Sequence, residues 1–329
     1  MASNKKKLLI TESMAPSGLA LLSERGDIEI VRFPNTITTP DFLALIEKNA
    51  PVNGVALGVT QFGAAELAAA KGMQVVARIG VGYDAVDVPA LTAQRVPLMV
   101  AGTANSPSVA EQAVFMMLAL AKRGTELDTM VRDGRWNQRL SHVPFDLFAK
   151  AVLIVGFGRI GTRTAKRCQA MEMKVLVHDP YVPVASIEAA GCEPMATLDA
   201  GLPRADFVTI HCPKTPETLG MFNAARLGLM KPTAYLVNTA RGGIIDEKAL
   251  HAALTSGKLS GAGLDVFELE PTPTNNPLLK LPNVISAPHM AGVTREALDR
   301  MGMQTIRNIL SVLDGSPIRE NVINTEVFG

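Results

Sequence analysis

The sequence predicts an α/β protein built from two doubly wound parallel sheets. Three observations carry this. Short β-branched runs alternate with helix-like stretches from end to end. The runs fall into two series, one before residue 102 and one from residue 151. The chain has 329 residues, above the size at which one core divides into two.

In the first series KKLLIT, IEIVRF, GVALGV, QVVARIG and VPLMVA read as strands, with TPDFLALIEKNA and GAAELAAAKG as helices between them. The lysines of NKKK read as a solvated tag ahead of the first strand. The three apolar residues before Thr11 and Glu12 are too few for a signal peptide. The second series is AVLIVG, KVLVHD, ADFVTIHC, AYLVNTA, GAGLDV and NVISAPH, and no fixed-period repeat relates it to the first.

Between the series, NSPSVAEQAVFMMLALAKRG predicts a helix. Ser106 is its expected N-cap, Pro107 its first helical residue, Ser108 and Glu111 a capping box, and Gly124 its end. Apolar residues cover nearly every face, so the helix is expected to be sandwiched between domains, against another subunit, or within one domain. With the exposed-looking GRWNQRL behind it, the 105–140 region reads as a homodimer interface. The last stretch, TREALDRMGMQTIRNILSVLDG, reads as a helix crossing back to the first domain. The expected domains are therefore 1–103 with 290–329, and 104–289, leaving a cleft between them.

Composition excludes several classes. A net charge of +1 offers no field for nucleic acid or an acidic membrane surface. The longest apolar run, AVFMMLALA, is too short to span a bilayer. Cys168, Cys192 and Cys212 show no CxxC spacing and the five histidines no HxxxH pair. Together these indicate a reducing, cytoplasmic compartment without structural disulfides or a metal site.

VLIVGFGRIG places Gly156, Gly158 and Gly161 in G-x-G-x-x-G, between an apolar run and a helix-like stretch. This is the Rossmann dinucleotide pattern. Gly156 permits the tight turn, Gly158 the approach of a pyrophosphate, and Gly161 close packing of helix on strand. Free N–H groups at the helix start hold the anionic oxygens. Asp179 ends the next run, eighteen residues past Gly161, placed to accept hydrogen bonds from ribose hydroxyls. Its carboxylate would repel a 2′-phosphate, so NAD(H) is expected and NADP disfavoured. The plain alternative is a glycine-rich turn that binds nothing.

Ligands of such sheets sit beyond the carboxyl ends of the strands. In the second series those ends carry His211, Cys212 and Pro213, then Asn238 to Arg241, then Asp265, then Pro288 and His289. Reduction of a 2-keto acid requires a cation for the carboxylate and carbonyl, an acid for the developing alkoxide, and a group that keeps the acid charged. Arg241 suits the first, His289 the second and Glu270 the third. Asp265 is read either as a turn cap or as an acceptor for the nicotinamide amide. Each of the other three has a plain alternative too: a surface pair of Arg241 with Asp246 or Glu247, a core His289, a solvated Glu270.

VNTARGGIIDEKAL, GAGLDVFELEP and NVISAPHMAGVT resemble blocks of the D-isomer-specific 2-hydroxyacid dehydrogenases, which include phosphoglycerate dehydrogenases and glyoxylate/hydroxypyruvate reductases. VGFGRIG, HCPKTPET and RIGVGYDAVD resemble the same family, over essentially the whole chain. The resemblance implies a nucleotide domain inserted mid-chain, a homodimer, and catalysis by Arg241, Glu270 and His289. It implies that RIGVGYD is a substrate loop, with N–H groups near Val81 and Gly82 meeting the carboxylate. By the same resemblance His211, Cys212, Pro213, Thr218, Thr239 and Ala240 line the dinucleotide, with Arg159, Ile160 and Gly292 beside them.

Departures bear on substrate. Phosphoglycerate dehydrogenases often carry an arginine after the third strand, where GVALGVTQFG has none. The sequence stops soon after its last helical stretch, which reads as the absence of a regulatory domain. Formate dehydrogenases of the family have glutamine in place of Glu270. The expected activity is thus ordinary interconversion of a 2-keto acid and a D-2-hydroxy acid. The alternatives are a D-3-phosphoglycerate dehydrogenase of serine biosynthesis and an NADH-sensing corepressor-like protein.

Overall fold

A computed structural model describes residues 5–329. The chain divides into two compact units. One runs up to Asn105 and resumes over Val293–Gly329; the other is Ser106–Gly292. Both divisions fall a few residues later than the sequence boundaries, at the start of one helix and the approach to another.

The first unit holds β1 (Lys6–Thr11), β2 (Ile28–Phe33), β3 (Gly54–Leu57), β4 (Val75–Arg78) and β5 (Leu98–Met99). Their order is β2-β1-β3-β4-β5 with every pairing parallel, the flavodoxin-like arrangement. Leu8, Leu9 and Ile10 of β1, Val55, Ala56 and Leu57 of β3, and Val75, Val76 and Ala77 of β4 are fully buried. Central strands covered on both faces need continuous apolar runs, which is why the sequence does not alternate there. The lysine tag is corrected in part. Lys6 and Lys7 belong to β1, where the Lys6 ammonium donates to the Leu313 carbonyl at 2.6 Å. Lys5 is exposed, and residues 1–4 lie outside the described residues.

The last long helix, Arg295–Leu313, packs on β3, β4 and helix Pro16–Ser23 of this same unit. Thr294 caps it, accepting from the Ala297 N–H at 3.1 Å. Asn308 on this helix is wholly buried and makes three side-chain hydrogen bonds. Its amide donates to the Val100 carbonyl at 2.8 Å, and its oxygen accepts from Gln304 at 3.0 Å and Asn321 at 2.9 Å.

The second unit holds β6 (Ala151–Val155), β7 (Lys174–His178), β8 (Glu193–Pro194), β9 (Phe207–Ile210), β10 (Tyr235–Asn238), β11 (Gly261–Leu264) and β12 (Val284–Ser286). Their order is β12-β11-β10-β9-β6-β7-β8, all parallel. Counted from β6 this is the Rossmann order with one more strand at the edge. The strand order reverses between β6 and β9, so the ligand crevice opens there. No apolar run announced β8, a two-residue edge strand.

The helix between the series spans Ser106–Ala121, with Ser106 inside its first turn rather than capping it. Glu111 pairs with Arg167 at 2.8 Å. Gly124 does not close the segment either, because a second helix, Gly124–Arg132, begins there. Helix Ser106–Ala121 packs on β10, β11 and helix Gly161–Ala170, so most of its apolar surface belongs to the core of this unit.

Removing the Asn308 hydrogen bonds should strand two buried partners, Val100 and Asn321. Asn308→Leu is expected to lower the unfolding free energy by about 1–3 kcal/mol in urea melts. Unchanged stability would show that the Asn308 bonds do not hold the final helix.

Candidate active site

The glycine turn opens at the end of β6. Gly156 has φ +97°, and a Cβ there would lie 2.6 Å from the Cys212 nitrogen, so only glycine lets the turn pass the β9 loop. Gly158 is exposed, and a Cβ there would meet no described atom within 4 Å. Arg159 is exposed and Ile160 half-buried just before helix Gly161–Ala170, whose first residue is buried. Asp179, one residue past β7, spends both oxygens on main-chain donors: Phe157 at 2.7 Å and Tyr181 at 2.9 Å. It therefore braces the turn, and each oxygen retains a second acceptor position.

The β9 loop carries the next expected residues. Burial holds the His211 imidazole down at about 3, so the ring is neutral, and the Thr209 hydroxyl contacts its Nε2 at 3.0 Å. Burial likewise pushes the Cys212 thiol up to about 11. Pro213 accepts the Thr218 hydroxyl at 2.7 Å, and Thr218 in turn accepts the Thr215 N–H at 2.8 Å. Thr218 thus shapes the loop from within. Two atoms at this strand edge, His211 Nδ1 and Thr239 Oγ1, are buried without a hydrogen-bond partner among the described residues. Open space at Gly158 and unsatisfied polar atoms beyond β9 and β10 are what a site for a polar dinucleotide would present.

Beyond β10, the buried Asn238 side chain clamps the turn that carries Arg241. Its oxygen accepts from Ala240 N–H at 3.0 Å and its amide donates to the Arg241 carbonyl at 2.9 Å. The Arg241 guanidinium donates back to the Ala240 carbonyl at 2.7 Å. Asp246 and Glu247, the alternative partners for Arg241, are engaged elsewhere. Asp246 caps helix Glu247–Thr255, and Glu247 accepts the Glu268 N–H at 2.6 Å. Next to Arg241, a Cβ on Gly242 would lie 1.7 Å from the Phe267 carbonyl. That approach presses the arginine turn against the loop that carries Glu270.

Glu270 and His289 meet directly. Glu270 Oε1 accepts the Phe267 N–H at 2.9 Å and Oε2 the His289 Nδ1 at 2.7 Å. The His289 side chain is 47% exposed, so it is no core histidine, and Nδ1 is the ring nitrogen that meets Glu270. His289 has φ +56°, held by its N–H to the Asp265 carbonyl at 2.7 Å. The fully buried Asp265 carboxylate accepts from Met290 at 2.8 Å and Ala291 at 2.9 Å. This is the turn-cap alternative for Asp265, and the left-handed His289 backbone that the turn carries is what the sequence reading missed. Gly292 follows that anchored turn.

Electrostatics match the geometry. The hydrogen bond to Glu270 raises the His289 imidazole above its ordinary value, against burial and the Arg241 charge. Burial pushes the Glu270 carboxyl up, but the hydrogen bonds from His289 and Phe267 and the charges of His289 and Arg241 outweigh it and hold it low. Arg241 is therefore felt at both groups. The Glu270 contribution to folding is lost as pH falls through its lowered pKa, and the His289 contribution as pH rises through its raised one. Val81 and Gly82 belong to the other unit, where Arg78 Nε donates to the Gly82 carbonyl at 2.9 Å.

A family profile described as the D-isomer specific 2-hydroxyacid dehydrogenase, NAD binding domain, matches residues 114–291. The chain belongs to that family. It is 35% identical over 319 residues to a D-3-phosphoglycerate dehydrogenase of Archaeoglobus fulgidus, covering 97% of this chain and 59% of that one. It thus spans about three fifths of the length of that relative. A glyoxylate reductase of Korarchaeum cryptofilum is 33% identical, covering 98% of this chain and 97% of its own. Among solved structures, D-lactate dehydrogenase from Aquifex aeolicus, complexed with NAD and lactic acid, superposes with a TM-score of 0.83 at 28% identity, covering 96% and 99% of the two chains. These similarities support a nicotinamide dinucleotide as cofactor.

In an NMR pH titration His289 should titrate above the ordinary imidazole value of about 6.5. In Glu270→Gln it should fall below that value, because burial and Arg241 then act without their main opponent. An unmoved titration would remove Glu270 as the cause.

Proposed function

We propose that this protein is an NAD-dependent D-2-hydroxyacid dehydrogenase. The 2.7 Å bond between His289 Nδ1 and Glu270, with the Arg241 charge acting on both, carries the reading. When bound, the dinucleotide supplies hydride to C2 of a 2-keto acid, or removes it from the hydroxy acid. Arg241 binds the carboxylate and polarises the carbonyl. His289, kept protonated by Glu270, donates its Nε2 proton to the developing alkoxide; in reverse the neutral ring accepts it. The N–H groups of Val81 and Gly82 are assigned to the substrate carboxylate, as donors in a glycine-rich turn.

Gly156, Gly158, Arg159, Ile160 and Gly161 would hold the pyrophosphate, with Thr239, Ala240, His211, Cys212, Pro213, Thr218 and Gly292 along the remainder. Asp179 supports NAD over NADP, since a 2′-phosphate beside the ribose hydroxyls would meet its carboxylate. The homodimer is supported by Phe115, Trp136 and Leu140, which are 55%, 61% and 77% exposed. A cytoplasmic site is supported by three free thiols.

Identity with an archaeal D-3-phosphoglycerate dehydrogenase favours a second reading, a phosphorylated substrate. Against it stands the stretch after β3, which offers no arginine. The sensing role is separated from both by turnover.

Loss of NADH absorbance should be measured with glyoxylate, hydroxypyruvate, pyruvate, phenylpyruvate and phosphohydroxypyruvate. Rapid oxidation is expected with an unphosphorylated acid. His289→Ala should lower kcat about 10²- to 10⁴-fold with little change in KM. Arg241→Ala should impair both. Tight NADH binding without turnover on any acid would defeat the dehydrogenase reading.

A further inference from the structure

Asp179 is one acid near the expected ribose, but the adenosine side of the crevice has a second. β7 and β9 flank β6 on opposite sides. Strands lie about 4.8 Å apart, so the ends of β7 and β9 are separated by about 10 Å across the start of the glycine turn. Tyr181 lies beyond β7 and Glu217 beyond β9, and the tyrosine hydroxyl donates to Glu217 Oε2 at 2.7 Å. A bond between these two loops spans the carboxyl edge of β6, where the crevice opens. Tyr181 is tied at both ends, since its N–H donates to Asp179 Oδ1 at 2.9 Å. Its side chain is otherwise open, the residue being 79% exposed. Glu217 lies in the loop that is closed by the Thr215 N–H to Thr218 and by the Thr218 hydroxyl to the Pro213 carbonyl.

We propose that Tyr181 and Glu217 form a clasp at the adenosine end of the dinucleotide site, in which Glu217 is a second carboxylate selecting against a 2′-phosphate and Tyr181 offers a ring face to the adenine. This rests on the dinucleotide reading above. Asp179 and Glu217 both bond to Tyr181, so a 2′-phosphate entering beside it meets two like charges. The tyrosine hydroxyl registers that field: its hydrogen bond to Glu217, then the charges of Glu217 and Asp179, raise it above its ordinary value. An aromatic face beside the ribose acid suits a purine through stacking, which depends little on the base's hydrogen-bonding edge.

The test is fluorescence titration of the full chain with NADH and with NADPH, free of any substrate. The wild type should prefer NADH. Glu217→Gln should raise NADPH affinity about tenfold while changing NADH affinity less than about threefold, and the gain should shrink as salt is added. Tyr181→Phe should keep the ring but release Glu217, weakening NADH about threefold, and Tyr181→Ala should weaken both dinucleotides further. A NADH-to-NADPH ratio unchanged in Glu217→Gln, with NADH binding intact, overturns the clasp alone. A wild type that binds neither dinucleotide overturns the underlying reading and the clasp with it.

Discussion

The candidate site depends on a carboxylate that is wholly inside the protein. Asp265 follows β11, is fully buried, and accepts from the N–H groups of Met290 and Ala291, while its own carbonyl accepts from His289. A buried carboxylate without donors would be costly, and here two main-chain N–H groups satisfy it. The same bonds hold His289 in a left-handed backbone conformation that residues with a Cβ seldom adopt. With that turn anchored, Nδ1 meets Glu270. Loss of Asp265 would therefore be felt at His289.

The same logic recurs along the sheet. Each polar group of the site leaves a parallel strand at its carboxyl end and is then fixed by a short-range clamp. Asn238 holds the Arg241 turn, Phe267 N–H holds Glu270, and Asp179 braces the glycine turn through Phe157. These clamps are local, but the close approach of Gly242 to the Phe267 carbonyl joins two of them. Apolar strand bodies supply the rigid base. Polar strand ends supply the groups, and main-chain bonds set their directions at little cost in side-chain entropy.

Much of this was legible in the sequence. Strands β1 and β2 coincide with the runs KKLLIT and IEIVRF; β1 is central and leaves a continuous apolar mark, whereas β2 is an edge strand marked by its β-branched residues. Arg241, Glu270 and His289 were reachable through strand ends and through long motif blocks. Less visible were β8, which is too short to carry a pattern, and the break at Gly124, where a glycine opens a helix instead of closing one. The Ser106 cap also shifted, because the helix takes in Ser106 itself. The Arg167 cation of another helix pairs with the Glu111 carboxylate, and no local spacing rule contains such a partner.

By itself, the sequence determined the two series of strands, the glycine turn and the family, and it singled out the polar residues at the strand ends. All of these are local: periodicity, turn chemistry and residue type within a short window decide them. Only the tertiary structure decided which groups touch. Glu270 and His289 stand nineteen residues apart in the chain and bond at 2.7 Å. Asp265 turned out to hold a turn, and Tyr181 found Glu217 across β6. Contacts of this kind depend on strand order, and strand order is set by how the whole sheet packs, which no window of the sequence contains.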